Sequence, residues 1–241
     1  MTQVWAHRGA SRYAPENTVP AFQLAVTQGA EGVEFDVQLS ADGTLVVIHD
    51  ETLERTTNGR GRVVDHTLAH LRSLDASAGH EDYRGVQIPT LTDVLEVVAP
   101  TGMTVNIELK NSVVDYPGLE EKVLAAVAAF ELESRVVLSS FNHYSVRRLQ
   151  TLAPELELAA IYNDPLFRPW RYARTLGVTA IHPPVAGVFG PVFVRKAHKA
   201  GVAVRPWVVN GERVLRRMFR YGVDAIFTDT PDVALAGRQA D

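Results

Sequence analysis

Apolar residues along this chain fall into two patterns that alternate from end to end. Short runs rich in β-branched residues suit strands: Val4 to His7, Val33 to Leu39, Thr104 to Leu109, Val136 to Ser140, Leu156 to Tyr162, Val178 to Ile181, Val202 to Trp207 and Ala225 to Thr228. Between them lie segments with apolar spacings of three and four, such as Glu120 to Phe130, Tyr144 to Leu152 and Arg213 to Tyr221, which suit amphipathic helices. Eight such βα units predict an α/β fold of the TIM (β/α)8 barrel type. Three junctions, Leu176-Gly177-Val178, Ala200-Gly201-Val202 and Tyr221-Gly222-Val223, reinforce it. Each puts Gly after a helix and Val at the next strand, where a left-handed Gly turns the chain. An open doubly wound sheet is the alternative, but no G-x-G-x-x-G follows the first strand.

The second strand carries a further signal. Asp42-Gly43 separates two alternating apolar runs (Val33, Phe35, Val37, Leu39, then Leu45, Val47), the mark of a two-residue hairpin. With Asp42 and Gly43 as the turn, Ala41 faces Thr44 and His49 falls directly opposite Asp36. Opposed residues share a sheet face, as do residues two apart, so Glu34, Asp36 and His49 converge on the side away from the apolar one. Carboxylates bind hard divalent cations and imidazole moves protons near neutral pH. The solvated side of an exposed hairpin would have the same composition. From Glu51 to Pro89 the rhythm breaks: the segment is polar, carries Asn58-Gly59-Arg60-Gly61, and has one short helical pattern around Leu68 to Leu74. It predicts a cap-like insertion, at about 51-89, over the mouth of a single barrel domain spanning 1-241.

Composition narrows the functions. A chain of 241 residues with 46% hydrophobic residues can bury a full core. A formal charge of -4 with no run of Lys or Arg argues against nucleic acid and gives no bulk attraction to anionic lipid. Without Cys there is no disulfide framework, no thiolate chemistry and no structural zinc. Neither a leader-like amino terminus nor a stretch of 18 apolar residues occurs, so the expectation is a cytoplasmic protein without stable membrane insertion.

Barrel chemistry sits at the carboxyl ends of the strands. Those ends read His7-Arg8-Gly9, Glu34 and Asp36, Glu108 and Lys110, Ser139 to Asn142, Tyr162 and Asn163, His182, Trp207 with Asn210, and Thr228 with Asp229. Glu108 adds a third carboxylate to Glu34 and Asp36, while Arg8 and Lys110 offer positive charge to a phosphate. A plain ion pair between Glu108 and Lys110 is the simpler account of that pair. His182 either contacts substrate or, before Pro183-Pro184, belongs to a loop; Trp207 is read as an apolar wall against the substrate. His66, His70, His80, His143 and His198 are expected in solvent. Thr18 is expected to cap a helix through Phe22 to Val26, with Asn17 within reach of a metal or phosphate.

Nine short strings, in order along nearly the whole chain, carry a resemblance. His7-Arg8-Gly9, Pro15-Glu16-Asn17-Thr18, Glu34-Phe35-Asp36-Val37, His49-Asp50, Thr56-Thr57-Asn58-Gly59, Ile88-Pro89-Thr90-Leu91, Glu108-Leu109-Lys110, Trp207-Val208-Val209-Asn210 and Thr228-Asp229-Thr230-Pro231 resemble the glycerophosphodiester phosphodiesterase family. The resemblance implies a TIM barrel with a small insertion after the second strand. It also implies a divalent metal (Mg, Ca or Mn) on Glu34, Asp36 and Glu108, and two catalytic histidines, His7 and His49. The implied reaction is hydrolysis of a small glycerophosphodiester substrate to glycerol 3-phosphate and an alcohol. Such chemistry needs these groups: cations absorb charge building on the phosphoryl oxygens, and two imidazoles divide the proton transfers. First attack by the glycerol hydroxyl, through a cyclic intermediate, competes with direct attack by water. Lysophospholipase D-type action and a non-catalytic barrel that binds phosphate or metal are the other readings, and self-association as a homo-oligomer stays open.

Overall fold

The structure, a computed structural model, describes residues 1–239. The β-branched runs form nine strands: β1 Gln3–His7, β2 Gly32–Leu39, β3 Leu45–Val47, β4 Thr104–Leu109, β5 Val136–Ser140, β6 Glu157–Ile161, β7 Ala180–His182, β8 Ala203–Val204 and β9 Ala225–Thr228. Eight of them pair in parallel in the order β8-β7-β6-β5-β4-β2-β1-β9, and β3 adds to β2 antiparallel. Backbone bonds from Asp224 N to Val204 O (2.9 Å) and from Phe227 N to Pro206 O (3.1 Å) bring the two ends of this order together. The result is a nearly closed TIM barrel, as the repeated βα pattern predicts.

The helices are α1 Val19–Thr27, α2 Leu68–Arg72, α3 Leu91–Val98, α4 Leu119–Ala129, α5 His143–Leu152, α6 Pro169–Leu176, α7 Pro191–Lys199, α8 Glu212–Tyr221 and α9 Pro231–Gln239. Among the described residues no helix is long and apolar enough to cross a membrane. Strand alternation divides the interior in two. Val33, Phe35 and Val37 of β2 join the large core between strands and helices. Trp5, Val137, Ala159, Ala180, Ala225 and Phe227 fill the barrel itself. The junction glycines Gly177, Gly201 and Gly222 are left-handed as expected, with φ of 82°, 71° and 69°.

The hairpin differs from the expected one by one residue. Val37 pairs with Val47 and Leu39 with Leu45, and Ile48 N donates to Asp36 O (3.1 Å), so Ile48, not His49, lies opposite Asp36. The cause is a three-residue turn, Ala41 to Gly43, in which Gly43 has φ of 77° and Ser40 N donates to Thr44 O (3.0 Å). Bonds from Ser40 Oγ to Asp42 (2.6 Å) and from Thr44 N to Ser40 Oγ (3.0 Å) hold it. Nor is the polar face of β2 solvated: every residue of the strand is buried, and Asp36 is 0% exposed. Thr18 stands at the start of α1, yet its hydroxyl donates to Pro15 O (2.6 Å) and accepts nothing from the first turn.

Residues 51–89 contain α2 and two short 3-10 turns, Val63–Asp65 and Glu81–Tyr83. Leu53, Val63, Leu71, Ala76 and Ile88 gather with Val46 and Ile48 into a small apolar cluster of their own. Arg55 ties the segment to the loop after β1 through Glu16 (2.7 Å).

Candidate active site

The carboxyl ends of the strands open into a cavity of about 490 Å³. Its walls include His7, Arg8, Glu34, His49, Glu108, Lys110, His182 and Trp207, all singled out in the sequence, and it is completed by residues such as Glu51, Asn106, Phe141, Ile161, Asn163 and Phe227. Asp36 does not itself line the cavity but is fully buried beside Glu34 and Glu108, which do.

The floor follows from register. β2 and β4 run in parallel with Asp36 level with Glu108, and Glu34 is two residues back on the same face. Glu34, Asp36 and Glu108 each offer a carboxylate oxygen, and these atoms all lie within 4.8 Å of one another. All three side chains are buried. Burial, reinforced by Asp36 and Glu108, pushes the Glu34 carboxyl well above the usual range. Burial and Asp36 push Glu108 up to about 7, against the pull of Lys110. For Asp36 burial acts upward too, but Arg8, His49, Lys110 and the Asn17 bond together hold its carboxyl low. Asn17 Nδ2 donates to Asp36 Oδ2 (2.8 Å), whereas Asp36 Oδ1 is buried with no hydrogen-bond partner. Three clustered carboxylates, one with a bare oxygen, are a donor set that fits a hard divalent cation.

Cations ring this floor. Arg8 Nε lies 3.4 Å from Asp36 and its Nη1 2.8 Å from Glu16. Burial would lower Arg8, but Asp36, Glu16 and Glu34 more than reverse this and keep it charged. Lys110 Nζ sits 3.1 Å from Glu108 Oε1 and donates to His49 Nε2 at 3.1 Å, so the simple ion pair and the site are the same contact. The turn carrying Arg8 is tight: Arg8 has φ of 57° and Gly9 φ of 82°, and a Cβ on Gly9 would stand 2.7 Å from the backbone of Ala21.

Both imidazoles are anchored through Nδ1. His7 Nδ1–H donates to Asp229 Oδ1 (2.7 Å), and Asp229 also accepts from Asn210 Nδ2 (2.5 Å) and Ser11 Oγ (3.2 Å). That leaves His7 Nε2 free, 4.0 Å from Glu34 Oε2. His49 Nδ1–H donates to Asp50 Oδ1 (2.6 Å), and Arg55 Nε grips the other oxygen of Asp50 (2.6 Å). Burial lowers the His49 pKa, with Arg8 and Lys110 acting the same way against Asp36.

Residues 7–233 match the Glycerophosphoryl diester phosphodiesterase family. The chain belongs to that family. A glycerophosphodiester phosphodiesterase of Caldanaerobacter subterraneus subsp. tengcongensis is 44% identical over 235 residues, covering 97% of this chain and 96% of the relative. One from Bacillus altitudinis is also 44% identical and covers 99% of each. Among solved structures, an Oleispira antarctica phosphodiesterase in complex with the product sn-glycerol-3-phosphate aligns with a TM-score of 0.88 at 33% identity, over 99% of this chain and 97% of that one. This phosphodiesterase is thus an enzyme with the barrel fold of its relatives.

In the phosphodiesterase, His182 is 1% exposed, its ring set edge-on to Phe227 at 4.9 Å. Burial, helped by Arg205, lowers its pKa well below the usual imidazole value, so it can offer an N–H but no charge. Trp207 donates Nε1 to His182 O (2.9 Å) and meets the Phe141 ring edge-on at 5.8 Å. Of the other histidines, His143 bonds Tyr172 OH (2.6 Å) and Ile161 O (2.8 Å), and His198 bonds Asp224 (2.8 Å). The anchors Asp229, Asp50 and Glu16 stood in the quoted strings without a role. Asn106 lies two residues before Glu108 on β4, so strand spacing alone would have found it.

Proposed function

We propose that the enzyme hydrolyses glycerophosphodiesters to glycerol 3-phosphate and an alcohol, with a divalent cation on Glu34, Asp36 and Glu108 and proton transfer by His7 and His49. The observation that carries this reading is the convergence of three buried carboxylates within 4.8 Å of one another, two of them on the cavity wall, with two anchored imidazoles and two cationic side chains on the same cavity. A barrel that merely bound phosphate would have no use for two histidines each held through Nδ1. The relative solved with sn-glycerol-3-phosphate supports the product.

A bound Mg, Ca or Mn ion supplies Lewis-acid charge that offsets the negative charge growing on the phosphoryl oxygens. Arg8 and Lys110, both kept charged by their carboxylate neighbours, orient the diester and add to that stabilisation. Asp229 and Asp50 hold the Nδ1–H of His7 and His49, which leaves Nε2 of each for proton transfer. One, with Nε2 bare, takes the proton of the attacking oxygen, and the other, entering the reaction with a proton on Nε2, delivers it to the departing alcohol. Trp207, Phe141 and Ile161 form an apolar wall, and His182 offers its N–H to a substrate hydroxyl or phosphoryl oxygen. The chain acts as one barrel domain in which residues 51–89 wall one side of the mouth, bringing Glu51 to the cavity.

The test is incubation with glycerophosphocholine, glycerophosphoethanolamine and glycerophosphoglycerol, with chelator and with each metal. Glycerol 3-phosphate should appear, vanish with chelator and return with Mg, Mn or Ca. Full turnover in excess chelator, with no residual metal by elemental analysis, would remove the cation from the reading. Phosphocholine in place of glycerol 3-phosphate would overturn the assigned bond cleavage.

A further inference from the structure

Large apolar side chains held open on loops are costly in water, so the place where they collect is informative. Val113 follows β4, Tyr144 stands at the start of α5 after β5, Phe167 follows β6 and Phe189 follows β7, and they are 74%, 91%, 87% and 69% exposed. These four strands are consecutive neighbours in the barrel, so the loops form one continuous arc of the rim at which the cavity opens. Val113 itself lines the cavity, and Asn163 of the cavity wall is two residues from Pro165 of a second groove. That groove, of about 400 Å³, is lined by Phe167, Trp170, Phe189 and Phe193 together with Arg168 and Lys196. No carboxylate lines it, although Asp164 is nearby in sequence and the whole chain carries a formal charge of -4. The mouth is therefore two-sided, with the polar insertion tied to the loop after β1 and an aromatic, cationic arc around β4 to β7.

We propose that this arc docks the enzyme on an anionic lipid surface. Phe167 and Phe189 enter the boundary between headgroups and acyl chains, while Arg168 and Lys196 meet lipid phosphates, the division of labour of interfacial binding sites. Two cations and no carboxylate on the aromatic groove turn that face toward a negative surface. The docking deepens the phosphodiester reading and rests on it for its purpose: the mouth is brought against diesters whose glycerol still carries an acyl chain.

Sedimentation of the whole protein with phosphatidylcholine vesicles, with and without phosphatidylglycerol, tests this. Binding should require phosphatidylglycerol and weaken with salt. The double variant Phe167→Ala, Phe189→Ala should lose about tenfold or more in partitioning, and Arg168→Ser, Lys196→Ser should lose the phosphatidylglycerol dependence. Neither variant should change turnover of glycerophosphocholine in vesicle-free solution. Absence of binding, or binding that both variants leave intact, overturns the docking. So does a dimer, seen by sedimentation equilibrium, that Phe167→Ala, Phe189→Ala dissolves, because the arc would then belong to a second copy. Vesicle binding by a protein inactive on glycerophosphocholine would uphold the docking and count against the hydrolase reading.

Discussion

At Glu108 a single side chain shows how the floor of the cavity is balanced. Burial and Asp36 hold its carboxyl at about 7, and Glu34 is raised as well, so below neutrality the floor retains protons. A cation bound there would have to displace them. Metal affinity should therefore fall as pH drops, by roughly tenfold per pH unit for each proton displaced. Calorimetric titration from pH 8 down to about 5.5 checks this; an affinity independent of pH would mean the carboxylates are already ionised. Glu34→Gln, Asp36→Asn and Glu108→Gln should each weaken binding by about 100-fold or more.

For the imidazoles, His7→Ala and His49→Ala should each cut turnover by about two to four orders of magnitude with the fold retained, as read by circular dichroism. If the two act in one proton circuit, the double variant should be little worse than the poorer single one. Near-normal turnover in either single variant removes that residue from the chemistry. Much of this was legible: spacing of two on a strand places Glu34 with Asp36 and Glu108 with Lys110 without any structure. The anchors were not. His7 and Asp229 are 222 positions apart, and only barrel closure through β1 and β9 makes them neighbours.

Among the elements, strands and junction glycines were read from local pattern because each βα unit repeats the same solution. The hairpin was misread by one residue because its length depends on the φ of Gly43, which the Asp42-Gly43 pair permits in more than one turn. His49 still reaches the cavity because β3 ends at Val47 and the chain leaves the ladder after Ile48. The turn from β1 to α1 makes a sharper prediction. With φ of 82° and the Ala21 backbone 2.7 Å from any added Cβ, Gly9→Ala must shift the turn that presents His7 and Arg8. It should cost about 1–3 kcal/mol of stability by denaturant titration. Turnover should drop more than the folded fraction does.

Across the whole molecule, long-range assembly decides what the sequence hides. The aromatic arc draws on loops separated by tens of residues, none of them striking alone, and appears only when β4 to β7 stand side by side. The segment from 51 to 89 illustrates the same point in another way. Its apolar cluster is distinct from the barrel core, and Arg55 clamps it to Asp50, the anchor of His49, and to Glu16, the partner of Arg8. A unit with its own small core opens on its own, with a smaller free-energy gap than the surrounding barrel. Backbone amides at Leu53, Val63 and Leu71 should thus exchange with deuterium sooner than those of β2 and β4. Each opening breaks the Arg55 clamp and frees Asp50, so heating should silence the enzyme reversibly several degrees before the barrel melts. Coincident loss of turnover and of barrel ellipticity on heating would show instead that the two parts unfold as one.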